Sequence, residues 1–439
     1  MLGLPTTATA PFCPSEVEGT VLVPAQGPTW RKLLQFLGPG FLISVGYMDP
    51  GNWATDIEAG SRFGFDLLFV VVLSSLAAIV LQCLSMRLGL ASGMDLARQS
   101  RARLPRPVNV GLWGMAEIAI VACDLAEVLG SALAFHLLLG VSLPLGIAMT
   151  ALDTVVVLAL QGKGFRTLEA IVLGLIATIG LCFLVELVLV HPNWGAVTRG
   201  LFPSRAVLGD HGAWYVGIGI LGATVMPHNL YLHSSIVQSR KLGADDRSKA
   251  SAIRFATLDT VAALLLALLI NAAILVLAGA AFHGHGAAVT EIEDAYHLLD
   301  PIVGTGFAGT LFALALLASG QSSTFTGTIA GQVLMEGSLE LSIPCWQRRL
   351  ITRVLALAPA FLGVWLLGQG AIGRMLIISQ VVLSFQLPFA MAPLLLFTGD
   401  RKVMGRFASG PLLKLGGWGL FAVITAANGW LVLQLLRGR

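Results

Sequence analysis

Two short stretches of this chain place polar and helix-breaking residues inside apolar runs. The first is GYMDPGNWATDIEAG, residues 46–60, in which Asp49 is followed at once by Pro50, Gly51 and Asn52. The second is GATVMPHNLYLHSS, residues 222–235, in which Met226 is followed by Pro227, His228 and Asn229. Matched positions are 177 residues apart, Asp49 with Met226 and Pro50 with Pro227. Asp at the centre of a membrane helix costs roughly 2.5–3.5 kcal/mol on insertion scales, and Pro and Gly are the poorest helix residues. A proline removes one N–H and displaces the carbonyl one turn earlier. Backbone groups freed at membrane depth survive only where they line a cavity or bind something. A single break of this kind reads equally well as a plain proline kink; two matched breaks that both carry polar residues do not.

The side chains at the breaks form a donor set. Asp49 brings a carboxylate, Asn52 an amide oxygen and Met226 a thioether. Gly46 and Ala223 each stand three residues before Asp49 and Met226, about one helical turn, where an unwound helix turns out its carbonyls. Oxygen donors with one soft sulfur suit a divalent first-row transition metal; a thioether adds nothing for magnesium or calcium. One carboxylate cannot neutralise a divalent ion, so dipoles, water or proton movement must offset the rest. A methionine far from any break would read as core filler. His228 reads either as a satisfied polar residue of the bundle or, beside a metal, as a proton carrier.

Further acids lie elsewhere. In CDLAEVLG, Asp124 and Glu127 are three apart and share one helix face; ionisable residues in a membrane helix are functional by default. Arg348 and Arg349 are partners for them or anchors at the membrane surface. Gln380 is a further oxygen ligand or a helix–helix hydrogen-bonding residue. Asp56 and Glu58 are placed at the outer mouth of the first span, within reach of water. The five cysteines are scattered and form no CxxC pair, as small buried or free thiols are.

The elements that must hold these residues follow from composition. The 439 residues are 56% hydrophobic and only 12% charged, with mean hydropathy +0.82, about half the charged fraction of a soluble protein. Apolar runs of about 20 residues recur, so the chain is an all-α integral membrane protein. Eleven spans are expected near 33–58, 66–88, 110–139, 143–161, 168–190, 213–238, 255–282, 303–333, 350–368, 371–398 and 413–436. Residues 1–32 form a disordered cytosolic tail without the layout of a signal peptide. With the N-terminus inside, 21 of the 27 Lys and Arg fall on the cytosolic side, which the positive-inside rule favours, and an odd number of spans leaves the C-terminus outside. The acidic 283–302 loop, with Glu291, Glu293, Asp294 and Asp300, is then a solvated outer loop; His283 and His285 belong to a turn in it.

The breaks open two successive five-span blocks, residues 33–190 and 213–398, joined by an extracellular loop at 191–212; an eleventh helix and its preceding loop fill 399–439. Paired broken helices at corresponding positions mark an inverted-repeat secondary transporter. Five is odd, so the second block sits inverted relative to the first.

In DPGNWATDIEAG, MPHNLYLHSS and GQSSTFTGTIAGQVLMEG (residues 320–337), the chain resembles the Nramp metal transporters, and the likeness runs over roughly residues 33–436. The last motif looks like that family's transport signature between spans eight and nine. The resemblance implies a LeuT-type 5+5 inverted repeat with discontinuous helices 1 and 6. It implies a metal site from Asp49, Asn52 and Met226, the carbonyls of Ala223 and Gly46, and Gln380 in some states. It implies a proton route from Asp49 past His228 to Asp124 and Glu127, then Arg348 and Arg349. Pro50, Gly51 and Pro227 make the breaks. The expected activity is proton-coupled import of manganese first and ferrous iron second, by alternating access across the inner or plasma membrane. Its partners are divalent metal ions, protons and the lipid bilayer, with no resident cofactor, nucleic acid or obligate protein partner. Magnesium-transporting relatives lack the methionine.

A different ion-coupled symporter, for an amino acid, would hold a substrate carboxylate on half-helix N-termini, which Asp49 and Met226 suit poorly. An intramembrane metalloenzyme would need a motif such as H-E-x-x-H, and a primary pump a phosphate loop; neither occurs.

Overall fold

The computed structural model describes residues 17–22, 29–152, 164–243, 245–284, 289, 291–304, 306–341, 343–367 and 372–436. Part of the fourth expected span (153–161), Lys163, His285, Cys13, Arg437 and Arg439 lie outside the described residues.

The first break is real, and its cause is local. Helix α1 (Pro39–Ser44) tightens into a 3₁₀ turn over Val45–Met48, Asp49 is extended (φ −70°, ψ 166°), and α2 (Pro50–Phe63) starts afresh with Pro50 in its first turn. A residue before proline is driven out of the helical region, while proline itself is well suited to open a helix. After α3 (Leu68–Ser92), α4 (Arg106–Leu139), α5 (Leu143–Met149) and α6 (Phe165–Val190), the same grammar recurs. Helix α7 (His211–Thr224) ends, Val225 and Met226 are non-helical, and α8 (Pro227–Ile236) begins on proline. Then come α9 (Asp246–Ala281), α10 (Ile292–Val303), α11 (Ala308–Leu339), α12 (Cys345–Leu367), α13 (Ile372–Gly399) and α14 (Pro411–Leu436). Seven helices among the described residues are long and apolar enough to cross a bilayer on their own: α3, α4, α6, α9, α12, α13 and α14. The two broken pairs stand in the regions of the expected first and sixth spans, α5 at the start of the fourth and the polar-lined α11 in that of the eighth.

Two of the carbonyls at the first break are met by side chains, as buried backbone groups must be. Asn271 Nδ2 donates to Tyr47 O (2.7 Å), and Trp53 Nε1 (3.2 Å) and Ser319 Oγ (2.5 Å) donate to Met48 O. At its other end α1 is capped from α9, where Asp259 accepts from Gly38 N (3.1 Å) and Gly40 N (2.6 Å). Trp53 is buried between Phe183 of α6 and Phe312 of α11, with ring centroids 4.8 and 5.1 Å away.

Three expectations change. The tail is ordered in part: Val21–Leu22 pair in parallel with Arg240–Lys241, and the buried Val17 packs into the main core. A second tail segment, Thr29–Phe36, is helical. Composition hid this, because the pairing uses backbone groups. The 283–302 loop contains α10, whose Ile292, Ala295 and Leu299 are buried. Three of its four acids are engaged: Glu291 accepts from Gly373 N (2.6 Å), Asp300 from Gly309 N (3.0 Å), and Glu293 lies 3.5 Å from His136. The 320–337 motif lies within α11 rather than between two spans.

Candidate metal site and acid cluster

The two breaks meet at one place. Asn52 Nδ2 donates to Asp49 Oδ1 (2.6 Å) and Ala223 O (3.2 Å), and lies 3.5 Å from Gly46 O. Residues from both breaks, 171 positions apart, thus converge on a single amide. Asp49 also caps α2, accepting from Asn52 N at 3.0 Å, a favourable place for a carboxylate at the positive end of a helix. Its second oxygen, Oδ2, is buried and has no hydrogen-bond partner. Met226 is fully buried, and a Cβ placed on Gly46 would come within 3.3 Å of its Sδ. Here the structure departs from the sequence reading: the amide nitrogen of Asn52, not its oxygen, faces the three acceptors. Those acceptors have no proton of their own to offer, so they select the donor end; a half-turn of the terminal amide exchanges the two.

Gln380 packs onto the same break. A Cβ on Gly51 would overlap its amide, and its Oε1 is buried and unpartnered while Nε2 donates to Ser379 Oγ (3.0 Å). Gly51 thus has a contact reason as well as a helix-breaking one. Pro50 fits against Gly130 of α4, where no Cβ could be added without overlapping the proline ring. His228, in the first turn of α8, is buried with neither ring nitrogen hydrogen-bonded. Asp56 and Glu58 are buried rather than open to water; Glu58 pairs with Arg62 at 2.5 Å, and Asp56 Oδ2 has no partner.

The acids of α4 form a second centre. Arg349 Nη1 donates to Asp124 Oδ1 at 2.8 Å, and Arg349 Nη2 lies 3.7 Å from Glu127 Oε2. Thr324 Oγ1 is 3.2 Å from Glu127 Oε2 and accepts from Arg353 Nη2 at 3.2 Å. Arg348 is not part of this cluster; its Nη2 donates to both oxygens of Glu117 at 2.8 Å, two turns back along α4. Consecutive residues on a helix point about 100° apart, so the two arginines could not share one acid pair. Sequence reasoning missed Arg353 and Glu117. Arg353 follows Arg349 by one turn, the only signal present. It also missed Cys123, whose thiol donates to Glu127 Oε1 (3.7 Å) and which packs with Met226, between the two centres. Gly327 and Gly331, one turn apart on α11, leave the room: a Cβ on the first would meet Glu127 Oε1 at 3.1 Å, and on the second Arg348 Nε at 2.6 Å.

No group of three or more His, Cys, Asp or Glu suited to a metal occurs among the described residues. A cation held at the breaks would therefore meet one carboxylate and neutral oxygen and sulfur donors.

Two broken helices crossing within a bundle of apolar helices define a multi-pass membrane protein of the LeuT-type transporter fold. Mhp1, a nucleobase-cation-symport-1 family transporter, shares that fold at TM-score 0.60 and 14% identity, covering 86% of this chain and 81% of its own. The chain belongs to the Nramp family: the model described as natural resistance-associated macrophage protein-like matches residues 40–434. The divalent metal cation transporter MntH of Ralstonia nicotianae is 65% identical over 437 residues, 99% of each chain. The Eremococcus coleocola manganese transporter, solved with an aromatic bis-isothiourea compound, superposes with TM-score 0.88 at 39% identity, covering 94% of this chain and 89% of its own.

Proposed function

We propose that this protein is a proton-coupled importer of divalent transition-metal ions, manganese first and ferrous iron second, working by alternating access in the cell membrane. The observation that carries it is the buried, unpartnered Asp49 Oδ2 beside the carbonyls of Gly46 and Ala223 and the Met226 thioether. Asp49, Met226, the two carbonyls and Asn52 with its amide turned are the ligands; Gln380 joins as the breaks shift. A relative named as a divalent metal cation transporter and another titled a manganese transporter support the substrate class. A membrane transporter of this family is not an enzyme.

The proton leaves Asp49 past His228 towards Asp124 and Glu127, with Arg349 and Arg353 holding their negative charge. Arg348 serves Glu117 at the edge of this route. Eleven spans in two inverted blocks, 33–190 and 213–398, with the N-terminus cytoplasmic and the C-terminus outside, complete the reading. The basic bias of the loops supports that orientation.

Purified protein in proteoliposomes should take up manganese, faster with an inward proton gradient. Uptake of magnesium or an amino acid without manganese would overturn the assignment. In the same assay Asp124→Asn should reduce proton flux more than manganese binding; equal loss of both would make Asp124 a purely structural acid.

A further inference from the structure

The loop between α13 and α14 builds a feature that metal transport does not use. A short helix, Arg401–Met404, and a 3₁₀ turn, Gly405–Phe407, fold back so that Arg401, Arg406, Ser409 and Lys414 line one cavity of about 770 Å³ at the mouth of α14. Four observations give it a chemistry. Arg401 and Lys414 have no ion-pair partner among the described residues, whereas Arg406 lies 3.3 Å from Asp246 and also donates to its carbonyl (3.1 Å). The nearby acid, Asp400, is turned away to the backbone of Lys402 at 2.8 Å. Ser409 is only 8% exposed, lines the cavity, and its hydroxyl has no partner, although its N–H is bonded to Thr398 O at 2.9 Å. The cavity also sits at the start of the 26-residue α14, where Pro411 has no N–H and those of Leu412 and Leu413 lack intrahelical acceptors.

Cations, a hydroxyl donor and a helix N-terminus in one recess suit a phosphate group. The surroundings identify its carrier. Directly along α14 from the recess stand Leu412 (85% exposed) and Leu415 (74% exposed), and then Val423, an apolar strip on a helix of membrane-spanning length. A soluble phosphate has no use for such a strip; acyl chains do. Lys414 is held at the rim: a Cβ on Gly399, at the end of α13, would lie 3.7 Å from its Nζ. We propose that this recess is a binding site for the phosphate headgroup of an anionic phospholipid, with the acyl chains lying along Leu412 and Leu415.

The proposal does not depend on the transported ion, and its test is read separately. Full-length protein would be titrated in detergent with phosphatidylglycerol and with phosphatidylcholine, and bound lipid counted by native mass spectrometry. Wild type should retain phosphatidylglycerol over phosphatidylcholine, and Arg401→Gln with Lys414→Gln should weaken that preference by about tenfold or more, since each basic residue near an anionic surface contributes severalfold. Ser409→Ala should weaken it less. Manganese uptake by these variants in phosphatidylcholine vesicles reports that they fold and insert. Equal retention of both lipids by wild type, or an unchanged preference in the double variant, would overturn the proposal. Displacement of bound phosphatidylglycerol by millimolar inorganic phosphate would overturn the lipid assignment in favour of a free anion.

Discussion

The two breaks share a backbone and differ in chemistry. Asp49 and Met226 are both extended residues before a proline, each at the head of a new helix. Asp49 caps its helix with its own carboxylate; Met226 makes no side-chain cap, and His228 behind it has both ring nitrogens free of hydrogen bonds. One break caps its own helix through Asp49 Oδ1 and leaves one carboxylate oxygen, Oδ2, without a partner. The other leaves polar groups unsatisfied in the membrane interior. Stability alone favours a cap at both places, since a capping side chain contributes about 1 kcal/mol over alanine. A thioether at the second break therefore sacrifices stability, and the gain lies in what soft sulfur can discriminate.

That contrast can be broken from either side. Asp49→Ala should have the largest effect, lowering manganese affinity roughly 100-fold or more, because losing a charged ligand exceeds the 10–100-fold typical of losing an outer partner. Asp49→Asn separates its two duties: asparagine caps as well as aspartate, so thermal stability should recover while binding does not. Recovery of binding by titration calorimetry would show that the cap, not the charge, matters. Met226→Ala should leave manganese transport alive but cut discrimination against calcium and magnesium by roughly tenfold; competition uptake with unchanged discrimination would remove the role of sulfur. Met226→Ser should make the second break resemble the first, raising stability by about 1 kcal/mol while discrimination falls. A thermal midpoint that does not rise would mean that the α8 N–H groups are already satisfied. The smallest stability change belongs to His228→Gln, which loses no hydrogen bond, yet proton-coupled uptake should slow. Unchanged coupling would leave His228 as packing.

What was legible in the sequence was what the chain determines locally. Proline positions mark both breaks, and their common offset paired them before any fold was known. Three-residue spacing put Asp124 and Glu127 on one face. The choice between Arg348 and Arg349 was not legible, because it depends on how α12 is rotated against α4, a property of packing rather than spacing. Arg353 and Glu117 were missed for the same reason. The amide direction of Asn52 depends on three oxygens contributed from two breaks, and the ordering of the tail on a backbone pairing that composition does not record.

The grip of α9 on the segment before the first break has a mechanical meaning. Asp259 holds its start and Asn271 the carbonyl of Tyr47 near its end, from positions twelve residues apart on one helix, or about 18 Å of rise. The short segment from Gly38 to Tyr47 is thus splinted along its length to a neighbour, while Asp49 and Pro50 uncouple it from its own continuation. It can shift only together with α9 or after those hydrogen bonds break, so any rearrangement at the first break is tied to a helix that belongs to neither break.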